Sequence, residues 1–211
     1  MEPGWTILGL EVLELIAVVF GIASVYLSVR ENIWSWPTAL VNVTLYFLIF
    51  RRQQLYALMG LQVFYAAISA YGWYHWLFGG EGRSRLHVTL APRRFRIALP
   101  LLALAGIGAV GVTLDRTTDA ARPLLDSSLA VSSLIAQWMM SRKYLENWLL
   151  WIAVNIVSVG LFLSQGMYPT AFLYTVFFGL ASKGYVDWRR SWRAGTGSPG
   201  EQHPPESGST V

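Results

Sequence analysis

The stretch WLLWIAVNIVSVGLFL, residues 148–163, contains no charged side chain and is nearly long enough to cross a lipid bilayer as a helix. A helix that crosses ~30 Å of hydrocarbon needs about 20 mostly apolar residues, and fewer when flanking side chains reach the interface. Six further stretches are also mostly apolar and of similar length, at residues 8–29, 36–50, 55–78, 97–114, 124–140 and 168–186. The sequence therefore predicts an all-α integral membrane protein with seven transmembrane helices.

The composition favours the same class. Of the 211 residues, 54% are hydrophobic and only 13% are charged, whereas soluble domains carry about 25% charged residues. The net charge of +4 resides in short arginine clusters between apolar runs, which is typical of membrane orientation rather than of a nucleic-acid-binding face. The chain has no cysteine, which excludes disulfides, thiolate nucleophiles and zinc ribbons. Glu2 and two carboxylates in the first apolar stretch argue against a signal peptide, so we interpret that stretch as a retained helix.

Lysine and arginine are distributed unequally between the two sets of loops that alternate along the chain. The set on the side of the amino terminus holds four of them, and the other set holds twelve. Because cytoplasmic loops carry the excess of positive charge, we expect the amino terminus outside and the carboxyl terminus in the cytoplasm of a bacterial-type inner membrane. Residues 191–211, which are rich in Gly, Pro and Ser, are predicted to form a disordered cytoplasmic tail.

The two halves of the chain resemble each other when the sequence is shifted against itself so that Arg30 falls on Arg142, and we call this alignment the repeat shift. It also pairs Glu14 with Asp126, Gln53 with Gln165, Tyr56 with Tyr168, Gly72 with Gly184, Trp73 with Tyr185, Trp76 with Trp188 and, with a one-residue slip, Asn42 with Asn155. We interpret this pattern as two homologous three-helix units, residues 1–78 and 115–190, joined by a linker loop and spacer helix at 79–114. The extra crossing leaves both units in the same orientation, as a 3+1+3 parallel repeat.

The sixth predicted span carries the densest group of candidate binding residues. Trp148, Trp151 and Asn155 stand at i, i+3 and i+7, so they share one face of the helix. Two indoles can stack on a flat ring or face a cation, and an amide can hydrogen-bond to the substituents of that ring. An alternative remains open, in which Trp148 anchors the helix at the membrane interface and Asn155 forms an interhelical hydrogen bond.

Polar and aromatic residues on the other spans extend this candidate site, because polar side chains inside a membrane usually face the protein interior. The candidates are Asn42 and Tyr46 on the second span, Gln62, Tyr65 and Trp73 on the third, Gln137 on the fifth, and Tyr174 and Phe178 on the seventh. If they converge, they form an aromatic pocket with a few amides, the usual composition of a small-molecule site. Packing is the competing interpretation for each single aromatic residue. Four tryptophans near span ends are interpreted by default as interfacial anchors, namely Trp34, Trp36, Trp76 and Trp188.

The ionisable residues point to no catalytic or metal centre. Glu11 and Glu14 lie one turn apart on the first span, and Asp126 lies on the fifth; they either attract a cation toward an outer vestibule or reach to the interface. The three histidines lack metal-ligand spacing, and none lies beside these carboxylates to suggest acid–base catalysis. The G-x-G-x-x-G pattern at residues 106–111 lies inside an apolar run, so it favours helix packing over nucleotide binding. We expect no cofactor, no metal and no enzymatic activity.

The motif W-x-x-W-x-x-x-N at residues 148–155 resembles the signature of the nicotinamide riboside transporter family, the PnuC-type vitamin transporters. The segments NIWSWPTALVN at 32–42, YGWYHW at 71–76, IAQWMMSRKYLENW at 135–148 and KGYVDW at 183–188 agree with it, so the resemblance covers roughly residues 11–188. It implies a SWEET-like arrangement of seven helices, a homotrimer, and facilitated diffusion of a substrate that a cytoplasmic kinase then traps. It also implies that the residues of this motif bind substrate, with Gln137 and Gln62 as amide partners.

Nicotinamide riboside is the leading substrate on this interpretation, which would link the protein to NAD biosynthesis. Thiamine, riboflavin and deoxynucleosides, which related members carry, are the alternatives, and cation–π stacking alone cannot separate nicotinamide riboside from thiamine. Two different classes also remain open. A membrane enzyme should offer carboxylate or histidine clusters at a membrane face, and a receptor or scaffold would need no buried amides. We expect no nucleic-acid partner.

Overall fold

The structure, a computed structural model, describes residues 4–117 and 122–196. Within these ranges it contains seven α-helices and one short 3-10 turn. The helices are α1 Gly4–Val29, α2 Ser35–Arg52, α3 Tyr56–Phe78, α4 Arg93–Thr117, α5 Pro123–Ser141, α6 Asn147–Ser164 and α7 Tyr168–Thr196, and the turn is Glu81–Arg83. The prediction of an all-α chain with seven helices is confirmed.

Three of these helices are long and apolar enough to cross a membrane on length and composition alone. They contain the stretches Glu11–Val29, Arg93–Arg116 and Asn147–Ser164. Several of the polar side chains on α2, α3 and α5 line cavities inside the bundle, as described below. Interior polar residues lower the mean hydropathy of a helix without exposing those groups to lipid.

The helix ends differ from the prediction mainly at α4 and α7. Helix α4 begins at Arg93 rather than at residue 97, and α7 continues to Thr196 rather than ending at residue 186. A hydropathy pattern marks only the apolar part of a helix, and polar turns extend the helix beyond it. Residues 191–196, assigned to the predicted tail, therefore belong to α7, and residues 197–211 lie outside the described residues.

The helices pack in two sequential groups that meet along two seams. Helices α1, α2 and α3 contact one another in order, and so do α5, α6 and α7. The groups meet where α1 packs on α7 and where α3 packs on α5, while α4 packs on α5. At that last contact a methyl group on Gly106 would lie 3.2 Å from Val131, and one on Gly111 would lie 3.1 Å from Leu124. These two glycines of the pattern therefore allow the close approach of α4 and α5, whereas a methyl group on Gly108 would meet nothing within 4 Å.

Four tryptophans, Trp36, Trp76, Trp148 and Trp188, form a layer at the junction of the two groups, and we call this cluster the tryptophan layer. The rings of Trp36 and Trp76 meet edge to face, with 5.3 Å between centroids and an interplanar angle of 89°. Trp148 and Trp188 meet with the same distance and angle, and Trp76 contacts Trp188 at 5.8 Å. All four tryptophans belong to one cluster of buried hydrophobic residues.

The prediction that Trp36, Trp76 and Trp188 are interfacial anchors is wrong. Their exposed fractions are 2%, 3% and 0%, whereas Trp34 is 65% exposed. The indole of Trp76 donates a hydrogen bond to the Met140 carbonyl at 3.1 Å. Trp188 donates to a carbonyl of α1, that of Ser28, at 3.0 Å. The ends of the helices converge here, so aromatic side chains near them become buried instead of meeting headgroups.

Candidate functional site

Two adjoining cavities lie between the helix groups. The smaller, which we call the narrow chamber, has a volume of about 190 Å³, and the larger, the wide chamber, has a volume of about 450 Å³. They adjoin because they share lining residues, namely Ser24, Val25, Ala39, Gln137, Tyr174 and Phe177. Small-molecule sites in proteins usually occupy about 300–1,000 Å³, so the wide chamber falls within that range.

Helix α6 builds one wall of the narrow chamber. Trp148, Trp151 and Asn155 all line it, as expected for residues that share one helical face. Trp36 of α2 and Gln137 of α5 line it as well. The chamber therefore combines three indoles with two amides, and none of its described lining residues carries a charge.

Three indole N–H groups at this chamber have no acceptor. The Nε1 atoms of Trp36, Trp148 and Trp151 are buried without a hydrogen-bond partner among the described residues. The other two tryptophans of the layer, Trp76 and Trp188, do have acceptors. Buried donors are nearly always paired in native proteins, and an unpaired one needs an explanation such as an absent ligand or water. The residues line the chamber, but their Nε1 atoms each expose less than 1 Å², so a ligand in the chamber could reach these donors only after the side chains move.

The amides around the two chambers differ in what they bond. Asn42 donates from Nδ2 to the Ala17 carbonyl at 2.7 Å, so it holds α2 against α1. The side chain of Asn155, although buried, forms no hydrogen bond within the described part of the chain, and the same is true of Gln137. Asn155 and Gln137 therefore have free donors and acceptors facing the narrow chamber.

The wide chamber is more polar and carries one charge. Asn42, Tyr46, Gln62 and Tyr65 line it together with Glu14, which is the one charged residue among the described residues that line either chamber. Glu14 therefore faces the cavity, whereas Glu11 and Asp126 line neither chamber. A lone carboxylate at this position attracts cations and repels anions.

Sequence comparison connects this arrangement to a known family. The sequence model described as "Nicotinamide mononucleotide transporter" matches residues 11–190. The chain belongs to this transporter family. Nicotinamide riboside transporter PnuC of Escherichia coli (strain K12) is 31% identical over 206 residues, covering 86% of each chain. Riboflavin/roseoflavin transporter RibM of Streptomyces davaonensis is 25% identical over 181 residues, covering 83% of each chain.

The fold of this family member also matches a solved structure. The crystal structure of the vitamin B3 transporter PnuC superimposes with a TM-score of 0.69 at 24% identity, covering 86% of this chain and 82% of that one. At that identity the match supports the fold alone. The family places the protein among membrane transporters, in agreement with the sequence prediction.

Most of the predicted site residues of this family member converge. The narrow chamber receives Trp148, Trp151 and Asn155, the wide chamber receives Asn42, Tyr46, Gln62 and Tyr65, and both receive Gln137 and Tyr174. Trp73 and Phe178 line neither chamber and are exposed at the surface of the chain. Phe177 lines both chambers instead of Phe178. On α7 the residue three positions after Tyr174 faces inward, and the residue four positions after it does not.

The sequence prediction missed one central residue. Trp36 lines the narrow chamber, yet its place near a span end led to its interpretation as an anchor. The repeat shift pairs Trp36 with Trp148, a residue already in the candidate stripe, and that pairing could have identified it. Ser24, Ser28 and Ser35 also line this chamber, and no motif marked them. Within the described residues no group of three His, Asp or Glu side chains could hold a metal ion.

Proposed function

We propose that this protein carries a small vitamin precursor, with nicotinamide riboside as the first candidate, across a bacterial inner membrane by facilitated diffusion. The observation that carries the proposal is the narrow chamber, which three tryptophans and two amides line and where no described lining residue is charged. The names of the relative in Escherichia coli and of the solved structure support the same substrate class. The relative named for riboflavin supports riboflavin as the second candidate.

The chemistry of nicotinamide riboside suits the two chambers. Its pyridinium ring is flat and cationic, and a cation over a tryptophan face gains about 0.5–2 kcal/mol. Its carboxamide and ribose hydroxyls can exchange hydrogen bonds with the amides of Asn155 and Gln137. Glu14 in the wide chamber supplies the attraction that a cation would meet on entry. The small volume of the narrow chamber, about 190 Å³, favours a single ring over the tricyclic ring of riboflavin.

We infer facilitated diffusion from the scarcity of ionisable groups along the path. A proton-coupled carrier needs acidic or histidine side chains that relay protons through the membrane. Of the described residues that line the two chambers, Glu14 is the one acidic side chain, and none is a histidine. Substrate would then flow down its own gradient, and phosphorylation by a cytoplasmic kinase would trap it inside. Assembly as a homotrimer belongs to the same proposal and rests on the family resemblance.

We further propose that the seven helices form a 3+1+3 parallel repeat, with α4 as the spacer. Several contacts recur at positions that the repeat shift pairs. The pair Trp36–Trp76 has the same ring geometry as Trp148–Trp188, and the hydrogen bond from Trp76 to Met140 corresponds to the bond from Trp188 to Ser28. Glu31 and Lys143, another pair related by this shift, share positive φ angles of 51° and 52°. These recurrences support two homologous halves related by a two-fold axis along the membrane normal.

The experiment that tests the site compares three variants of the purified protein in calorimetric titrations with nicotinamide riboside, thiamine and riboflavin. Trp151→Ala removes one stacking face and should weaken binding of the preferred vitamin about tenfold or more, a loss of ~1–2 kcal/mol. Asn155→Leu removes a hydrogen-bonding amide at similar volume and should weaken it comparably. Trp73→Ala is the matched control, because this tryptophan lines neither chamber, and it should bind normally.

The competing interpretation of the stripe as packing makes the opposite prediction. Trp151→Ala and Asn155→Leu would then lose thermal stability, while the folded remainder would bind vitamin with normal affinity. Uptake into proteoliposomes tests the transport mode separately. Accumulation of unmodified substrate above its outside concentration, driven by a proton or sodium gradient, would rule out facilitated diffusion.

A further inference from the structure

A third cavity lies on the far side of the tryptophan layer from the chambers. It has a volume of about 360 Å³, and its lining includes Arg30, Glu31, Trp34, Trp76, Arg85 and Lys143. Trp76 lines this cavity, and its edge-to-face partner Trp36 lines the narrow chamber. The tryptophan layer therefore separates the third cavity from the proposed substrate site. Neither the family signature nor the candidate stripe includes any of its charged residues.

The third cavity is strongly basic. Lys143 is 6% exposed, donates to a Glu31 carboxylate oxygen at 2.8 Å, and lies 4.5 Å from the centre of the Trp76 ring. Arg30 and Arg85 form no ion pair within the described part of the chain. Three cations thus surround one carboxylate, which leaves a net charge of +2 on the lining (three positive charges minus one negative). The one carboxylate of the cavity is paired with Lys143, so Arg30 and Arg85 have no carboxylate partner in the lining.

The corresponding face of the second half is covered by the chain itself. The loop between α3 and α4 pairs with it, through a hydrogen bond from Thr89 N to Lys143 O at 3.1 Å and one from Leu145 N to Thr89 O at 2.9 Å. A Glu146 oxygen also accepts from the Ala91 N–H at 2.9 Å. The second half therefore fills its site with loop backbone and a carboxylate.

In the first half the same positions are open. The repeat shift maps Lys143, Leu145 and Glu146 onto Glu31, Ile33 and Trp34. In the second half Thr89 donates to the Lys143 carbonyl and accepts from the Leu145 N–H. In the first half no described residue does the same for the Glu31 carbonyl and the Ile33 N–H. Trp34, which takes the position of Glu146, is largely exposed. The first half thus leaves a backbone donor and two guanidinium groups beside an uncovered cavity. A ligand can take the place that the loop takes in the second half.

We propose that the third cavity is an anion site that binds a phosphate group, either of a soluble phosphate monoester or of an anionic lipid headgroup. Guanidinium groups present planar pairs of donors that match phosphate oxygens, and the exposed indole of Trp34 offers a face for a ring attached to the phosphate. A bound phosphate would bridge Arg30 at the end of α1, Arg85 in the linker loop and Lys143 at the end of α5. The bound phosphate would hold the two halves together at this end of the helices and would slow transport. The effect on transport rests on the proposed function, whereas the binding of phosphate does not.

The decisive experiment titrates the full chain, purified in detergent and free of phosphate, with inorganic phosphate and with nicotinamide mononucleotide. Arg30→Gln and Arg85→Gln should each weaken binding about tenfold or more, because a charge-assisted hydrogen bond is lost. Arg189→Gln is the matched control: it removes the same charge from an exposed position on α7 that lines none of the three cavities, and it should bind as the parent does. Trp151→Ala should keep phosphate affinity and lose vitamin affinity, so failure at one site is distinguishable from failure at the other.

A second arm separates the two sources of phosphate. The protein is reconstituted in nanodiscs of phosphatidylcholine with or without phosphatidylglycerol, and inorganic phosphate is titrated again. If a lipid headgroup is the natural ligand, phosphate binding should be lost only when phosphatidylglycerol is present. Bound phosphatidylglycerol should then be recovered with the parent protein but not with Arg85→Gln. Binding that is unaffected by the lipid would identify a soluble phosphate. The proposal is overturned if neither source binds, or if Arg30→Gln, Arg85→Gln and Arg189→Gln all bind with equal affinity.

Discussion

Replacing Gly184 by alanine should damage both the fold and the proposed substrate site, because the glycine lies against the ring of Trp148. A Cβ atom at this position would lie 2.6 Å from Cε2 and 2.7 Å from Cδ2 of that ring. The ring cannot retreat freely, since it is 1% exposed and meets Trp188 edge to face at 5.3 Å. Overpacking of this kind costs about 1–3 kcal/mol. Any relief must come from moving an indole that lines the narrow chamber.

The same helix offers a matched control. Gly179 lies five residues earlier on α7, and a Cβ atom there would meet nothing within 4 Å. Gly179→Ala should be neutral or slightly stabilising, because alanine is favoured over glycine in helices by about 0.5–1 kcal/mol. Thermal unfolding of both variants in detergent, followed by calorimetric titration with nicotinamide riboside, gives the comparison. Gly184→Ala should melt several degrees lower and bind more weakly. If both variants matched the parent in stability and affinity, the assignment of Gly184 as a contact that only glycine permits would be wrong.

Three further predictions concern the junction of the two halves. Lys143→Met should destabilise the protein more than the double variant Lys143→Met/Glu31→Gln does, because the single change removes the one cation that is bonded to the Glu31 carboxylate. A double-mutant cycle by chemical denaturation should give a coupling of about 0.5–3 kcal/mol. Additive effects of the two changes would contradict the ion pair. Trp76→Phe keeps an aromatic ring but removes the N–H that donates to the Met140 carbonyl. The free energy of unfolding should fall by about 1–3 kcal/mol, with little change in vitamin affinity. An unchanged free energy of unfolding would count against that hydrogen bond. A reporter fused after α7 should be active only in the cytoplasm, and periplasmic activity would invert the proposed topology.

The number of helices could be predicted from the sequence, and so could most of the residues that line the two chambers of the candidate site. Apolar stretches set the helices because backbone groups in hydrocarbon must bond within their own segment, and hydropathy does not depend on distant contacts. The stripe of Trp148, Trp151 and Asn155 was predictable for a similar reason, since spacing along one helix fixes which residues share a face. These predictions needed no knowledge of how the helices pack.

The errors arose where packing between helices decides the outcome. Trp36, Trp76 and Trp188 lie near helix ends, where sequence alone indicates an anchor, but the ends converge and bury them. Whether Phe177 or Phe178 faces the chambers depends on the rotation of α7 about its axis. The contacts of α7 with α6 and α1 determine that rotation. The three unpaired indole donors could not be foreseen either. Whether a donor has an acceptor depends on every residue packed around it, and the sequence does not give that packing.

The crossed hydrogen bonds of the tryptophan layer bear on how a chain of this kind could arise. Trp76 donates to a carbonyl at the end of α5, and Trp188 donates to a carbonyl at the end of α1, so in the proposed repeat each half supplies the acceptor that the other half needs. A lone three-helix unit would bury an indole N–H with no acceptor, at a cost of about 1–3 kcal/mol. Two identical units face to face would satisfy both donors at once. If the proposed repeat is right, an ancestral three-helix unit would have functioned as a homodimer, and α4 would be the segment that allowed gene fusion without turning one unit over in the bilayer.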